Sequence, residues 1–295
     1  MTDSIYKNKN IDFAMQDRAS SLSPIFQHVS TSRPALKHER EYDGLSVIFT
    51  GFEVPGVPEQ SILLACLALA NIAKNENGKK AFLPADPKGQ IGKNLVSGIG
   101  GIGSYDALNY SPPIVIESTI YRLLKVAGLG NSKQNRAKLE TWLIRLASIS
   151  YFVKAKNTDG TTKQLFSQRL LSFDMTTAND KIYLAINSMF ASAFTGQHSR
   201  IDLAERRKIG HKNGIALLLH SYFSSVINKG QAHAFNVDKL VCKFVAENLD
   251  EVTPAKKRKH RANFRNAVLS LAELDDWSVL EKGSSDKLVM TVRRK

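Results

Sequence analysis

Two stretches of the chain share one order of predicted elements: a short helix, a turn, a longer helix and a β-hairpin. In the first stretch a short helix is predicted at 118–127, a turn at 128–132 and a longer helix at 133–147. Strand-like segments follow at 149–156, 165–174 and 181–186. Gly128 can end the first helix and Ser132 can cap the second, while residues 157–161 have the composition of a hairpin turn. This order is typical of a winged helix-turn-helix unit.

The last hundred residues repeat this order. A long apolar helix at 209–227 comes first, and the following elements are predicted at 235–245, 247–253, 254–274, 277–280 and 287–292. Pro254 is a favourable first-turn residue, and Gly283 lies within the predicted hairpin. The two stretches resemble each other in structure rather than in residue identity. We therefore predict an α+β, mainly helical fold with two tandem winged-helix (helix-turn-helix plus β-hairpin) domains in a pseudo-twofold arrangement.

The remaining sequence sets the predicted domain boundaries. We predict a mobile N-terminal tail over 1–38, a first winged-helix domain over 39–197 and a second over 198–295. A strand is predicted at 45–50 because β-branched residues alternate there. A helix at 62–74 is apolar almost all round, which predicts that it is buried.

Residues 76–113 interrupt the first domain with seven Gly and four Pro, which predicts a loop-dominated insertion. The insertion contains a G-x-G-x-x-G match at 98–103. A dinucleotide fingerprint needs a helix directly after the glycines, and the residues that follow are a poor helix opening. We therefore predict no nucleotide site here.

The charge of the chain favours a polyanionic partner. There are 41 Lys and Arg against 27 Asp and Glu, which gives a formal charge of +14, and the isoelectric point is about 9.7. More than half of this excess lies in residues 200–295. A solvated basic surface would give the same count, so the arrangement of the cations decides between the two interpretations.

Cations are concentrated at the start of the helix predicted at 254–274. They are Lys256, Lys257, Arg258, Lys259, His260, Arg261 and Arg265. Cations at a helix N-terminus oppose the macrodipole, whereas a DNA-reading helix enters the major groove through its N-terminal part. Helical spacing turns Arg258, Arg261 and Arg265 away from the predicted buried stripe. We predict that these arginines contact base edges or adjacent phosphates.

Further DNA contacts are predicted around these arginines. Asn263 or Asn266 would assist in base contact, and Lys256, Lys257 and Lys259 would anchor phosphates. The wing at 282–287 and the final residues Arg293, Arg294 and Lys295 would meet the flanking backbone. The corresponding residues of the first domain are Lys133, Gln134, Arg136 and Lys138. Because Glu140 lowers the net positive charge of this group, we predict that the helix makes a backbone contact or a protein interface.

The sequence gives no support for an enzyme, a cofactor or a metal site. The seven histidines lack metal-ligand spacing, and His220 is predicted to be a core histidine. A nickase with a tyrosine nucleophile is the distant alternative, since Tyr105, Tyr110 and Tyr151 are available but partner histidines are not. A structural RNA-binding role is weaker still, because no aromatic platform interleaves the basic runs.

The chain is predicted to be cytoplasmic. Its longest unbroken apolar run, at 62–70, is nine residues, where a membrane-spanning helix needs about 20. No signal-peptide pattern opens the sequence. The two cysteines, Cys66 and Cys242, are interpreted as core thiols in a reducing compartment.

Several short blocks carry a family resemblance through their order and spacing. They are Arg169–Ser172, Ile182–Asn187, Gln197–Ile201, Leu218–His220, Lys257–Arg261 and Trp277–Val279. From about residue 40 to the end, the chain resembles the RepC-type replication initiator proteins of IncQ-like broad-host-range plasmids. The insertion at 76–113 matches poorly, and the first 38 residues carry no resemblance.

This resemblance implies a plasmid-encoded bacterial initiator that binds double-stranded DNA at tandem direct repeats, called iterons, in the replication origin. Such proteins promote opening of an adjacent A+T-rich segment and admit the plasmid's helicase and primase. The resemblance also implies that the carboxy-terminal domain does most of the base reading, and that the amino-terminal domain can mediate homodimers. The nearer alternative is a dimeric winged-helix transcriptional regulator, which an operator with inverted half-sites would favour.

Overall fold

The computed structural model describes residues 11–17, 21, 23–29, 33–42, 45–77, 89–99, 113–156, 161–187, 198–284 and 287–295. The helices of these ranges are α1 (Val57–Asn77), α2 (Gly89–Ile99), α3 (Ile120–Val126), α4 (Lys133–Ser148), α5 (Leu203–Ile209), α6 (Gly214–Val226), α7 (Val237–Phe244) and α8 (Pro254–Ser270). The strands are β1 (Phe13–Asp17), β2 (Leu36–Tyr42), β3 (Leu45–Gly51), β4 (Ile114–Thr119), β5 (Ser150–Lys156), β6 (Thr162–Arg169), β7 (Leu171–Thr176), β8 (Lys181–Ile186), β9 (His198–Asp202), β10 (Ala232–Asn236), β11 (Trp277–Lys282) and β12 (Val289–Arg294).

These strands form four antiparallel sheets within the described ranges. Their orders are β1-β9, β2-β3-β5-β6, β4-β8-β7 and β10-β12-β11. The fold is therefore mixed α/β. The expectation of a mainly helical fold is not supported, because several short strands, among them β1, β4 and β10, add to those that the sequence predicts.

One order of elements occurs twice: helix, strand, helix, helix, strand, strand. The first unit consists of α1, β4, α3, α4, β7 and β8, and the second unit consists of α6, β10, α7, α8, β11 and β12. In both units the last strand lies between the other two strands of a three-stranded sheet. The first unit also carries α2 before β4 and the β5–β6 hairpin before β7.

Each unit has its own hydrophobic core, and α6 contacts both. Residues 62–70 of α1 are completely or almost completely buried in the first core, which confirms the predicted buried helix. The second core contains Phe223, Phe264 and Trp277. Leu218 of α6 packs in the first core, whereas Leu219 packs in the second. The two units are thus joined by shared packing on one helix.

The mobile tail predicted over 1–38 is wrong for the part that the structure describes. Residues 13–17 form β1, which pairs with β9, and Ile25 and Phe26 are buried in the first core. In β1, Ala14 and Gln16 are buried, while Phe13 and Met15 are partly exposed. Such alternation lets a polar-looking segment serve as a half-buried strand. Residues 1–10 lie outside the described residues.

The loop-dominated insertion predicted over 76–113 contains helix α2. Leu95 and Ile99 pack against Ala185 of β8, so tertiary contacts outweigh the low helix propensity of glycine. A Cβ at Gly98 would lie 2.7 Å from Oγ of Ser172, so this glycine lets α2 approach β7 closely. The other four residues of the G-x-G-x-x-G match, 100–103, lie outside the described residues.

Other predicted elements needed adjustment at their ends. The strand predicted at 165–174 is two strands, β6 and β7, separated at the buried residue Leu170. The long helix predicted at 209–227 begins at Gly214, because Asn213 accepts a capping hydrogen bond from the backbone N–H of Ala216. The helix predicted at 118–127 begins after Thr119, which is its N-cap.

Candidate nucleic-acid interface

Helix α8 presents a basic surface beside its N-terminus. Thr253 caps the helix by accepting a hydrogen bond from the backbone N–H of Lys256 at 3.3 Å, and Pro254 opens it. One face is buried through Phe264, Ala267 and Val268. The predicted contact residues on the exposed side are Lys257, Arg258, Lys259, Asn263 and Asn266. No acid lies within the first turn of this helix itself.

Two of the three predicted base-reading arginines are engaged within the protein. Nε and Nη2 of Arg261 donate to the two carboxylate oxygens of Asp238 on α7, at 2.6 and 2.8 Å. Nε of Arg265 donates to the carboxylate of Glu281 on β11, at 2.9 and 3.1 Å. These pairs tie α8 to its neighbouring helix and to the hairpin. Helical spacing placed the arginines on the outward side but gave no information about the acids that meet them.

The other cations at the start of α8 also differ in whether their side chains are paired within the protein. Nζ of Lys256 lies 2.5 Å from Oε2 of Glu247, and this contact holds the pKa of Glu247 below its usual value. By contrast, the part of the chain that the structure describes provides no hydrogen-bond or ion-pair partner for the side chains of Lys257, Arg258 and Lys259. These three residues, here called the free basic cluster, are therefore available to an external anion.

The β11–β12 hairpin lies next to α8 and carries further cations. Lys282, Lys287 and Arg293 are exposed. Gly283 has a φ of +87°, and a Cβ there would overlap the carbonyl oxygen of Lys287, so the turn requires glycine. Residues 285 and 286 lie outside the described residues.

The last two predicted backbone contacts differ from each other. Arg294 is only 9% exposed, and its guanidinium lies over the ring of Trp277 at 5.4 Å. In this conformation its side chain does not reach a surface anion. Lys295 is exposed, although its Nζ also donates to the carbonyl oxygen of Asp275 at 3.1 Å. Arg294 of β12 is the cross-strand partner of Trp277 of β11, and its side chain lies against that buried ring.

Helix α4 of the first unit has a weaker basic surface. Its predicted core stripe of Leu139, Trp142, Leu143 and Leu146 is buried, as expected. Lys133, Gln134 and Lys138 are exposed. Arg136 instead pairs with Asp180, at 2.8 Å, in the turn between β7 and β8. Arg136–Asp180 and Arg265–Glu281 thus occupy similar places, since each joins a helix to the hairpin of its own unit.

A buried polar network lies where α5, α6 and β11 meet. Oε2 of Glu205 contacts Nε2 of His220 at 2.6 Å and accepts a hydrogen bond from Nε1 of Trp277 at 3.0 Å. Burial lowers the pKa of His220 and favours the neutral ring. Burial alone would raise the pKa of Glu205, but its two hydrogen bonds hold it below the usual value. The predicted core role of His220 is confirmed, whereas no sequence pattern points to Glu205.

Within the described ranges, no group of three or more His, Cys, Asp or Glu side chains could hold a metal ion. Cys66 is buried, which raises the pKa of its thiol to about 12. Cys242 is exposed, so its prediction as a core thiol is wrong, because it lies on the outer face of α7. None of the described helices combines the length and the apolar character needed to cross a bilayer.

Two solved structures are similar in fold. The structure of selenomethionine derivatives of domains 2 and 3 of RctB matches with a TM-score of 0.52 and 11% identity, covering 92% of this chain and 99% of that chain. A second structure of RctB domains 2–3 matches with a TM-score of 0.51 and 11% identity, covering 94% and 96%. No curated protein sequence matches.

The family is shown by a different comparison. The family model of Replication protein C (RepC) matches residues 10–291, which is nearly the whole chain. The match includes residues 10–38, where the sequence blocks carried no resemblance, and residues 76–113, where the resemblance was poor. The chain therefore belongs to the RepC family of replication proteins.

Proposed function

We propose that this protein is a non-enzymatic initiator of plasmid replication that binds double-stranded DNA at directly repeated iterons in the origin. The observation that carries the proposal is the free basic cluster at the N-terminus of α8, in a chain that belongs to the RepC family. Kinship to the IncQ-like initiators, read from the sequence blocks, is part of the same proposal.

The topology of the two units supports a winged-helix mode of binding. Each unit places a helix, a strand, two helices and a two-stranded hairpin in the order of winged-helix domains, with the opening strand added to the hairpin. In that arrangement α8 and α4 are the recognition helices of the second and first units. The greater number of unpaired cations on α8 makes the second unit the main reader.

The ion pairs determine which of the predicted contact residues are free to contact DNA. Arg258 is the candidate for base reading, because it is exposed, unpaired and close to the start of α8. Lys257 and Lys259 beside it anchor phosphates, and the exposed Asn263 and Asn266 extend the surface along the helix. The cations Lys282, Lys287 and Arg293 meet the flanking backbone. To read a base, Arg261 would first have to break its ion pair with Asp238, and Arg265 its ion pair with Glu281.

In this proposal, the free energy of DNA binding drives the opening of the origin. Several protomers on neighbouring repeats, each with two units, distort the duplex by bending it, and the A+T-rich segment then melts. Lys133, Gln134 and Lys138 of the first unit supply backbone contacts or a homodimer surface. The opened segment admits the plasmid's helicase and primase.

Equilibrium binding of the full-length protein to an origin fragment and to a scrambled fragment tests the assignment of α8. Arg258→Ala should weaken origin binding by about 5- to 150-fold and relax sequence preference at one position, since a bidentate base contact is worth about 1–3 kcal/mol. Lys257→Ala should weaken both fragments alike and reduce the salt slope by about one.

Lys93→Ala is the matched control, because Lys93 is an exposed cation on α2, outside both recognition helices. The control should bind as the wild type does. If Arg258→Ala behaves like Lys93→Ala on both fragments, α8 is not the reader. A single protected palindrome in place of tandem repeats would instead favour the dimeric transcriptional regulator.

A further inference from the structure

A crevice of about 400 Å³ lies where the two units meet. Its walls come from α3 and the turn that follows it at 127–131, from α5 and the two residues after it, Gly210 and His211, and from single residues of α1 and α6. Of the described residues that line it, the charged or titratable ones, apart from one tyrosine, are Lys125, Arg206, Arg207 and His211, and none is Asp or Glu. The crevice is therefore lined by basic groups without an acid.

Arg206 is the least expected of these residues. It is only 6% exposed, and its Nη1 donates to the carbonyl oxygen of Leu217 and to Oγ of Ser221, at 2.6 and 2.5 Å. Its Nη2 donates to Oγ of Ser61 and Oε1 of Gln60, at 3.2 and 3.3 Å. All four acceptors are neutral. These hydrogen bonds occupy four of the five N–H groups of the guanidinium.

The charge of Arg206 is left without a counterion. No carboxylate of the described residues lies within 4 Å of it, because the neighbouring Glu205 turns away to contact His220 and Trp277. Burial lowers the pKa of Arg206 to about 9, which still leaves it charged at neutral pH. An unpaired buried charge is costly, and its usual remedy is a bound or neighbouring anion.

The other basic residues lie at the exposed part of the crevice. Lys125 is exposed, with its Nζ 5.8 Å from the ring centroid of Tyr121. Arg207 is 40% exposed and pairs at 3.3 Å with Asp12, itself 53% exposed, a contact that an incoming anion can replace at little cost. His211 hydrogen-bonds the carbonyl oxygen of Gly128, and burial lowers its pKa, so it is a neutral part of the wall.

We propose that this crevice binds a phosphate group, with Arg206 at its buried wall and Lys125 and Arg207 at its mouth. Arginine and lysine together around an acid-free cleft match the charge and the acceptor oxygens of phosphate. The phosphate comes either from a free nucleotide or from the DNA backbone. The backbone source rests on the proposed function, since Asn131 lines the crevice and α4 begins two residues later.

The test uses the full-length protein, first without DNA. Binding of inorganic phosphate, pyrophosphate and AMP is measured by calorimetry at constant ionic strength for the wild type and for Lys125→Gln/Arg207→Gln. The double variant changes the mouth and keeps the interior hydrogen bonds of Arg206. Lys212→Gln is the control, because Lys212 is an exposed cation that does not line the crevice. Arg206→Met is a second variant, read only if it remains folded.

Binding of a phosphate ligand that falls by about tenfold or more in the double variant, and persists in the control, supports a free nucleotide or phosphate as the source. If these ligands do not bind, the salt slope of DNA binding is compared next. A slope reduced by about two in the double variant, and unchanged in the control, supports a backbone phosphate. The proposal is overturned if the double variant matches the control in both assays. Failure of the initiator proposal would appear separately, as absence of iteron recognition by the wild type.

Discussion

Replacing Asp238 by Asn tests the view that α8 is held in place by its own arginine. Asp238 accepts two hydrogen bonds from Arg261, and these join α7 to α8. Asn has nearly the same shape but lacks the charge and one of the two acceptor oxygens. The substitution should therefore loosen α8 and release the Arg261 guanidinium toward solvent.

The expected magnitude follows from the burial of the pair. The two side chains are 29% and 34% exposed, so the pair lies between a surface ion pair and a buried one. Surface pairs contribute at most about 1 kcal/mol, and breaking a buried pair costs about 3–5 kcal/mol. We expect Asp238→Asn to lower the free energy of unfolding by about 1–2 kcal/mol. The freed arginine should add one phosphate contact and steepen the salt slope of DNA binding by about 0.9.

Urea denaturation and a salt titration of binding to non-specific DNA measure these two effects. Asp250→Asn is the matched control, because Asp250 is an exposed acid in the turn before α8, and its substitution makes the same change in net charge. The control should leave stability nearly unchanged. Equal stability and equal salt slopes in the two variants would show that the Arg261–Asp238 pair neither holds α8 in place nor keeps Arg261 from DNA.

Three further predictions concern stability. Burial lowers the pKa of His220 below 6.5, so the unfolded chain binds more protons than the folded chain in mild acid. The free energy of unfolding should therefore fall as the pH drops below about 6.5. His220→Gln should flatten this part of the pH profile, measured by urea denaturation. Gly283→Ala should cost about 1–3 kcal/mol and more than Gly230→Ala, because both glycines have positive φ but a Cβ meets backbone only at 283; equal losses in denaturation would contradict the overlap. Gly98→Ala should destabilise the protein through its contact with Ser172, and Ser172→Ala should restore part of the loss; a double variant no better than Gly98→Ala would argue against close packing of α2 on β7.

Elements with strong local signals were predictable from the sequence. The second helix of the first unit was predicted at 133–147 and is found at Lys133–Ser148, because Ser132 caps it and a regular apolar stripe marks its buried face. The strand predicted at 181–186 is found at the same residues. In these cases the capping residues and the side-chain pattern lie within the element itself.

Elements that depend on distant partners were not predictable in this way. β1 is stabilised by β9, nearly two hundred residues later, and its own sequence looks polar. Helix α2 is rich in glycine and is stabilised by packing on β7 and β8. A low local propensity can be outweighed by such contacts, which only the folded chain brings together.

The candidate interface shows the same division. The concentration of cations at the start of α8 and their outward direction could be read from spacing. The pairing of Arg261 and Arg265 could not, because Asp238 and Glu281 belong to other elements. The burial of Arg206 could not be predicted, because this residue lies within a charged run, Glu205 to Lys208, in which nothing distinguishes a buried arginine from an exposed one.

Whether this protein reads iterons is best tested by footprinting of the wild type on supercoiled DNA that carries the cognate plasmid origin, across a salt titration. We expect regularly phased protection over tandem direct repeats, which persists at moderate salt and is weakened by Arg258→Ala far more than by Lys93→Ala. Uniform protection that disappears at moderate salt would contradict it, because the basic surface would then bind DNA without reading its sequence.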